Sequence, residues 1–124
     1  MSKVLYIEDN PHNMRLVRKM LNMGGYEVVE AMTGEAGLNT AKQERPNLIL
    51  LDINLPDMDG IEVCKHLRSA DETAWIPVVA LTANAMHGDR ERFLESGMDG
   101  YLAKPITRNE LLSTVKQFLA TYTE

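Results

Sequence analysis

Five short apolar runs recur along the chain, and each is followed by a longer stretch in which apolar residues return every three or four positions. A short apolar run bounded by polar residues is typical of a β-strand, whereas a spacing of three to four is typical of one face of an α-helix. The pattern therefore predicts five successive pairs of a strand and a helix. The predicted strands are Val4–Ile7, Tyr26–Val29, Leu48–Leu51, Ile76–Leu81 and Tyr101–Ala103.

The runs at residues 48–51 and 76–81 are apolar throughout instead of alternating. Continuous apolar strands are typical of the centre of a parallel sheet that helices cover on both faces. We therefore predict an α/β fold with a doubly wound parallel sheet. With 124 residues, the chain has room for one domain, which we assign to residues 1–124.

Apolar spacing and end signals also position the predicted helices. One apolar face of the first helix holds Met14, Val17 and Leu21, and one face of the last holds Leu111, Val115, Phe118 and Tyr122. The end signals are Gly24 and Gly25 after the first helix, Thr33 and Pro46 around the second, and Thr107 with Glu110 at the start of the last.

Composition and charge exclude several classes of protein. The net charge of −5 comes from interspersed acidic and basic residues, without the basic surplus that a nucleic-acid-binding domain carries. No segment approaches the roughly 18 uninterrupted apolar residues of a membrane span, and the first apolar run begins too close to Met1 for a signal peptide. The lone Cys64 cannot form an internal disulfide. We expect a cytoplasmic protein that neither binds DNA directly nor inserts into a membrane.

Polar residues stand where four of the predicted strands end. Glu8 and Asp9 follow the first strand, Asp52 the third, Thr82 the fourth and Lys104 the fifth. Ligands of doubly wound sheets bind outside these carboxyl ends. If the strand order is 2-1-3-4-5, the first and third strands are neighbours roughly 5 Å apart, and the three acidic residues converge.

Three converging carboxylates favour a metal site. At roughly 4 Å and an effective dielectric near 20, each like-charged pair costs about 4 kcal/mol before screening, which a divalent cation relieves. Oxygen ligands from Asp9 and Asp52, with Glu8 nearby, suit Mg²⁺ better than Zn²⁺. Asn54, two residues beyond Asp52, is predicted to add its backbone carbonyl.

Asp52 is also the candidate nucleophile, because a carboxylate at a metal site can accept a phosphoryl group as an aspartyl phosphate. The Lys104 ammonium and the Thr82 hydroxyl would supply the positive charge and the hydrogen-bond donor that a transferred phosphoryl group needs. Taken singly, Glu8 and Asp9 are equally compatible with a helix start, and Asp52 with a turn. Their combination at the same ends of four strands favours the site.

Four segments together resemble the receiver domain of bacterial response regulators: IEDN at 7–10, LLDINLPDMDG at 50–60, PVVALTANA at 77–85 and GYLAKPI at 100–106. The resemblance covers essentially the whole chain. It implies a flavodoxin-like (βα)5 fold with strand order 2-1-3-4-5, an acidic Mg²⁺ pocket, and phosphorylation of Asp52 by a histidine kinase or a histidine phosphotransfer protein. It further implies that Thr82 and Tyr101 are switch residues, that Lys104 pairs with the phosphoryl group, and that the peptide bond before Pro105 is cis.

The family pattern leaves the partner surfaces as separate expectations. Many relatives have Asp where this chain has Glu8, whose longer side chain is expected to hold the metal through water. The output face, expected to signal to an unidentified downstream protein, includes Met86, Arg90 and Tyr101. The first helix carries a second apolar row, Leu16, Met20 and Met23, beside Asn13; with Pro105 it is the predicted docking surface for the histidine donor. The alternative is that the row is the margin of the core.

Only about twenty residues follow Lys104, enough for a last helix and no attached effector domain. A single-domain response regulator fits this length, and the TANAM and GYLAKPI segments resemble cell-division regulators of that kind. The alternative is a receiver cut from a larger hybrid histidine kinase. Two other classes fit less well. A haloacid-dehalogenase-type phosphatase usually has Asp at the position of Asn54, and a flavin carrier needs a phosphate-binding loop where this chain has the acidic EDNPHN segment.

Overall fold

The computed structural model describes residues 2–83 and 89–122, apart from the side chains of residues 89, 90, 121 and 122. The strands are β1 (Lys3–Ile7), β2 (Glu27–Ala31), β3 (Leu48–Asp52), β4 (Val78–Thr82) and β5 (Gly100–Ala103). The helices are α1 (Pro11–Met23), α2 (Gly34–Glu44), α3 (Gly60–Ser69), α4 (Asp89–Glu95) and α5 (Arg108–Tyr122). Within these residues, no helix combines the length and the apolar character needed to cross a membrane.

The five strands form one parallel sheet in the order β2-β1-β3-β4-β5, which confirms the predicted fold class. Each strand differs from its predicted range by one or two residues at one end or both, and two of these differences have a clear cause. β4 begins at Val78 because Ile76 closes a turn, its N–H donating to the carbonyl of Thr73, and Pro77 has no N–H to donate. β2 extends to Ala31, whose carbonyl accepts from the N–H of Glu8 at 2.9 Å and so prolongs the pairing with β1.

The sheet separates two apolar cores, since successive residues of a strand point to opposite faces. One core, under α2, α3 and α4, holds Leu5, Ile7, Ile49 and Leu51, and the other, under α1 and α5, holds Val4, Tyr6, Leu48 and Leu50. Every residue of β3 is buried, as its continuous apolar pattern predicted. Cys64 is a free thiol inside the first core, and burial raises its pKa to about 11.

Side chains at the helix ends explain where the helices begin and end. Asn10 accepts from the N–H groups of His12 and Asn13, and Thr33 accepts from the N–H of Ala36 at 3.0 Å. The predicted ends of α1 at Gly24 and of α2 before Pro46 are confirmed. In α5, Leu111 and Val115 are buried as predicted, but Leu119 completes the buried row and Phe118 lies at its margin. The side chain of Tyr122 lies outside the described residues.

The connection between α3 and β4 lies at the amino ends of the strands. The Arg68 guanidinium donates to the carbonyls of Ala74 (3.1 Å) and Ile76 (2.6 Å) and to Asp99 Oδ2 (2.8 Å), which ties this connection to the segment before β5. Trp75, the one tryptophan of the chain, is 48% exposed here, and its indole N–H donates to the Glu72 carbonyl at 3.0 Å.

Candidate functional site

Three carboxylates meet at the carboxyl ends of β1 and β3. Ile7 pairs with Leu51 in the register of these neighbouring strands, so Glu8 and Asp52 follow side by side, and Asp9 comes next. One carboxylate oxygen from each of the three lies within 4.8 Å of the others. Glu8 and Asp52 are 1% and 5% exposed, and Asp9 is half-buried. The structure thus brings together the three acidic residues that the sequence singled out.

Lys104 brings a cation to the same cluster. Its backbone N–H donates to the Thr82 carbonyl at 2.8 Å, which continues the pairing of β4 with β5 by one residue. Its Nζ lies 3.3 Å from Glu8 Oε1 and 3.3 Å from Asp52 Oδ1. The peptide bond from Lys104 to Pro105 is cis. One ammonium group therefore lies between two buried carboxylates.

Tyr6 is a member of the site that the sequence reasoning missed. It is fully buried, and its hydroxyl donates to Glu8 Oε1 at 2.8 Å. Glu8 Oε2 accepts from the N–H of Asn10 at 3.3 Å, so protein donors contact both oxygens of Glu8. The available signal was the spacing: Tyr6 and Glu8 are two residues apart on a strand and share a face, and a buried tyrosine hydroxyl needs a partner.

Burial and close contact set the protonation of the two buried carboxyls. Burial raises the pKa of Asp52 to about 6, with a further contribution from Glu8, while Lys104 opposes the shift. Burial also acts to raise the pKa of Glu8, but hydrogen bonds from Asp52 and Tyr6, together with Lys104, outweigh it and hold that pKa below its usual range. In the metal-free site Glu8 is therefore the first of the pair to ionise, and Asp52 keeps a proton up to mildly acidic pH.

Thr82 lies on β4, the strand next to the one that Asp52 ends, and Tyr101 lies on β5, one strand further along the sheet. Thr82 ends β4, is 3% exposed, and pairs with Ala103, the residue before Lys104. Tyr101 on β5 is 36% exposed, and its ring centroid lies 6.3 Å from that of Phe93 on α4. Two other residues predicted for the output face are not available for comparison. Met86 lies outside the described residues, as does the side chain of Arg90.

The loop at residues 53–59, between β3 and α3, folds back on itself beside Asp52. The N–H of Asn54 lies 3.4 Å from Asp52 Oδ1, and Asn54 forms an isolated antiparallel bridge with Asp59. Gly60 closes the loop because a Cβ there would come within 2.8 Å of the Ile53 Cα. Glycine is thus required by this close approach, and not by a positive φ. Binding of a metal by the Asn54 carbonyl stays a prediction.

The predicted docking residues lie on two adjoining clefts. Asn13, Leu16 and Pro105 line a cavity of about 230 Å³ whose wall also includes Tyr6 and Lys104. A neighbouring cleft of about 410 Å³ is lined by Leu16 with Met20, Met23 and the first residues of α5. Leu16 and Met23 are 43% and 59% exposed, but Met20 is half-buried against the core. For Met20, the alternative of a core margin therefore applies in part.

The donor set fits Mg²⁺. The site offers oxygen ligands, and Glu8, Asp9 and Asp52 form the group of acidic, histidine and cysteine ligands that could share one ion within the described residues. Magnesium prefers one or two carboxylates and retained waters to a closed protein cage. An exposed side of Asp9 leaves room for such waters.

The chain is similar in sequence to the response regulator receiver domain, whose family model matches residues 4–116. It is 43% identical over 116 residues to the polar-differentiation response regulator DivK of Brucella anthropi, and 94% of each chain is covered. The receiver domain of the sensor histidine kinase PA1611 from Pseudomonas aeruginosa PAO1, solved with a magnesium ion in its active site cleft, has a TM-score of 0.89 and 37% identity over 96% of this chain and 98% of its own. The chemotaxis protein CheY4 of Vibrio cholerae has a TM-score of 0.90 and 30% identity over 95% and 98%.

Proposed function

Because the chain belongs to the response regulator receiver domain family, we propose that Asp52 is its phosphoacceptor. The observation that carries this assignment is the position of Asp52 in the structure. It ends the central strand β3, lies within the acidic cluster, and has the Lys104 ammonium 3.3 Å away. The chain is a phosphoacceptor switch of a two-component system, and it acts by changing state and not by turning over a substrate.

In the proposed reaction, a carboxylate oxygen of Asp52 attacks the phosphorus of a phosphohistidine. The new P–O bond forms as the P–N bond breaks, and the electron pair of that bond returns to the imidazole. Lys104 is suited to balance the negative charge of the phosphoryl oxygens, and Thr82, at the end of the adjoining strand, is suited to donate a hydrogen bond to one of them. Thr82 ends β4, the neighbour of the strand that Asp52 ends, and Lys104 follows β5, the next strand of the sheet.

We assign direct contact with Mg²⁺ to the carboxylates of Asp9 and Asp52 and to the backbone carbonyl of Asn54. When bound, the ion supplies positive charge that shields the carboxylates from each other and from the incoming phosphoryl oxygens. Glu8 is assigned contact through water, because Tyr6, Lys104 and the N–H of Asn10 already contact its two oxygens. The magnesium ion in the receiver domain of PA1611 supports the choice of metal.

The phosphoryl donor is proposed to be a histidine kinase or a histidine phosphotransfer protein. Leu16 and Pro105 line a cavity that opens beside Lys104, so a helix docked there would present its histidine to Asp52. Both the response regulator from Brucella and the kinase receiver from Pseudomonas support a place in a phosphorelay, which we propose to be cytoplasmic. A free-standing regulator and the receiver of a hybrid kinase would both accept the phosphoryl group in this way.

The output is proposed to pass through a conformational switch. Phosphorylation of Asp52 draws the Thr82 hydroxyl toward the phosphoryl group, and Tyr101 turns inward from its exposed position against Phe93. The surface around Tyr101 then binds a downstream protein. The acidic net charge gives no support to direct contact with nucleic acid.

The assignment of Asp52 is tested by incubating the protein with acetyl phosphate and Mg²⁺ and measuring its intact mass. We expect a phosphoryl adduct that is stable in acid and labile in base. Asp52→Ala should lose the adduct, whereas Asp59→Asn, which changes a carboxylate of the same loop but keeps a helix-capping oxygen, should retain it. Failure of the wild-type protein to form the adduct, or its retention by Asp52→Ala, would refute the assignment.

A further inference from the structure

A carboxylate from the loop at residues 53–59 accepts hydrogen bonds from the first N–H groups of α2. The first N–H groups of a helix have no partner within the helix. In α2, Thr33 Oγ1 accepts from Ala36, but the N–H groups of Gly34 and Glu35 donate to Asp57, at 2.8 Å to Oδ1 and 3.0 Å to Oδ2. Both oxygens of one side chain are thus used on a helix 22 and 23 residues away in sequence.

A second contact joins the same two elements. Met58 follows Asp57 and packs on the first core, and it lies so close to Gly34 that a Cβ on this glycine would come within 2.5 Å of Met58 Cγ. Contact with the N–H groups of Glu35 and Gly34 also holds the pKa of Asp57 below its usual range, so its carboxylate is charged at neutral pH. Charge-assisted hydrogen bonds of this kind are stronger than neutral ones.

The position of Asp57 in the loop gives these contacts a function. The base of the loop is held by the N–H of Gly60 on the Ile53 carbonyl at 2.9 Å and by the bridge of Asn54 to Asp59. Its outer part is held by Asp57, which lies three residues beyond Asn54 and five beyond Asp52. The Ile53 carbonyl and the Asp57 side chain are therefore both held in place, and they lie on either side of Asn54, whose carbonyl is assigned to the metal.

We propose that Asp57 is a positioning residue of the site, which anchors the loop to the start of α2 and so keeps the Asn54 carbonyl directed at the acidic cluster. The inference rests on the proposed function, since it concerns how the same metal site is held. Asp57 contacts neither the ion nor the phosphoryl group. It acts through the loop backbone, as residues that orient metal ligands commonly do.

Calorimetric titration with Mg²⁺ at neutral pH and constant ionic strength tests the proposal. Asp57→Ala should weaken Mg²⁺ binding roughly tenfold, the lower end of the range for partners that orient ligands. Asp57→Asn, which keeps one acceptor oxygen, should lie between Asp57→Ala and the wild type. Circular dichroism should show all variants folded, because Asp57 is exposed and fills no space in the core.

Two control variants separate anchoring from other effects of the substitution. Thr33→Ala removes the other side-chain cap of α2 but leaves the loop contact, and Asp59→Asn removes one negative charge from the loop but keeps its own capping bond to Ile61. Both should bind Mg²⁺ within about twofold of the wild type. If Thr33→Ala weakened binding as much as Asp57→Ala, the effect would come from helix stability. If Asp59→Asn did so, it would come from charge. Either outcome overturns the proposal.

Amide hydrogen exchange supplies a readout that does not depend on phosphorylation. Because coupling between two sites is reciprocal, saturating Mg²⁺ should slow exchange at Gly34 and Glu35 in the wild type and not in Asp57→Ala. Unchanged exchange in the wild type would count against the anchor. If the wild-type protein bound no Mg²⁺ at all, the proposed function itself would fail, whereas equal binding by wild type and Asp57→Ala would reject the anchor alone.

Discussion

Asp52 differs from an ordinary surface aspartate in its protonation, because it lies buried beside Glu8, and Lys104 balances part of the charge of the two carboxylates. Its pKa of about 6 in the metal-free protein places its titration near physiological pH. A cation that binds the ionised carboxylate must then compete with a proton.

We therefore predict that Mg²⁺ binding weakens below pH 6. With a pKa of about 6, roughly nine tenths of Asp52 is ionised at pH 7 and one tenth at pH 5, so the apparent affinity should fall about tenfold between these values. Calorimetric titration at the two pH values measures this ratio. The Asp59→Asn variant should show the same ratio as the wild type, and a pH-independent affinity would contradict the prediction.

The sequence was sufficient to predict that the three acidic residues and Lys104 lie close together, because residues that follow parallel strands share one edge of the sheet. It was not sufficient to predict the contacts that Tyr6 and Asp57 make. The two-residue spacing places Tyr6 and Glu8 on one face, but their contact also depends on the rotamers of both side chains. The partners of Asp57 are backbone N–H groups of a distant helix, which leave no pattern in the sequence.

At the scale of elements, α1 presents one buried apolar face and a second apolar row that is partly exposed. Met14, Val17 and Leu21 are buried against the sheet, while Leu16 and Met23 remain exposed along the adjoining clefts. An exposed apolar row beside a reactive site is typical of a binding surface, since burial in the fold does not require it.

Substitution of Leu16 by Lys should slow phosphotransfer from a phosphorylated histidine phosphotransfer protein roughly tenfold, because a charge is placed in an apolar interface. Labelling by acetyl phosphate, which needs no docked protein, should be unchanged. Trp75→Lys is the matched control, since Trp75 is similarly exposed but lies at the opposite ends of the strands. Equal transfer rates for the wild type and Leu16→Lys would exclude this surface as the docking site.

Element boundaries show where pattern alone was insufficient. The apolar run from Ile76 predicted an earlier start for β4. The backbone hydrogen bond from Ile76 to Thr73 forms a turn instead, and the apolar pattern of the sequence gives no sign of this bond. In α5, Phe118 was assigned to the core, whereas Leu119 continues the spacing of four from Leu111 and Val115 and is buried. Both residues fit an apolar helical face, so the spacing alone does not show which of the two is buried.

At the scale of the whole molecule, the acidic cluster is a source of instability that the site requires. The strand order and the two cores follow from apolar patterning, which was enough to predict the topology. The cluster acts against this stability. The pKa of Asp52 is raised from 3.8 to about 6, so the folded protein binds more protons than the unfolded chain between these values, and this group makes the protein more stable as pH falls from 7 to 4.

We predict that Asp52→Asn stabilises the metal-free protein at pH 7 by about 1–2 kcal/mol. This is less than the roughly 3 kcal/mol of two pKa units, because solvent screening reduces the electrostatic contribution to stability. The difference from the wild type should vanish near pH 4, where the folded wild type is already protonated at Asp52. Urea unfolding across this range measures it. A destabilised Asp52→Asn at pH 7 would show that the cluster does not strain the fold.

The position of Trp75 determines which changes in the protein its fluorescence can detect. The indole lies before β4, at the amino ends of the strands, whereas the acidic cluster lies at the carboxyl ends of β1 and β3. A five-residue strand, about 13 Å long, separates the two ends of the sheet. The emission of Trp75 should therefore be insensitive to quenching by an ion at the cluster, yet it should change sharply when the chain unfolds and the indole loses its contact with Glu72. Intrinsic fluorescence can thus follow folding, while calorimetry follows the binding of Mg²⁺ to the acidic cluster.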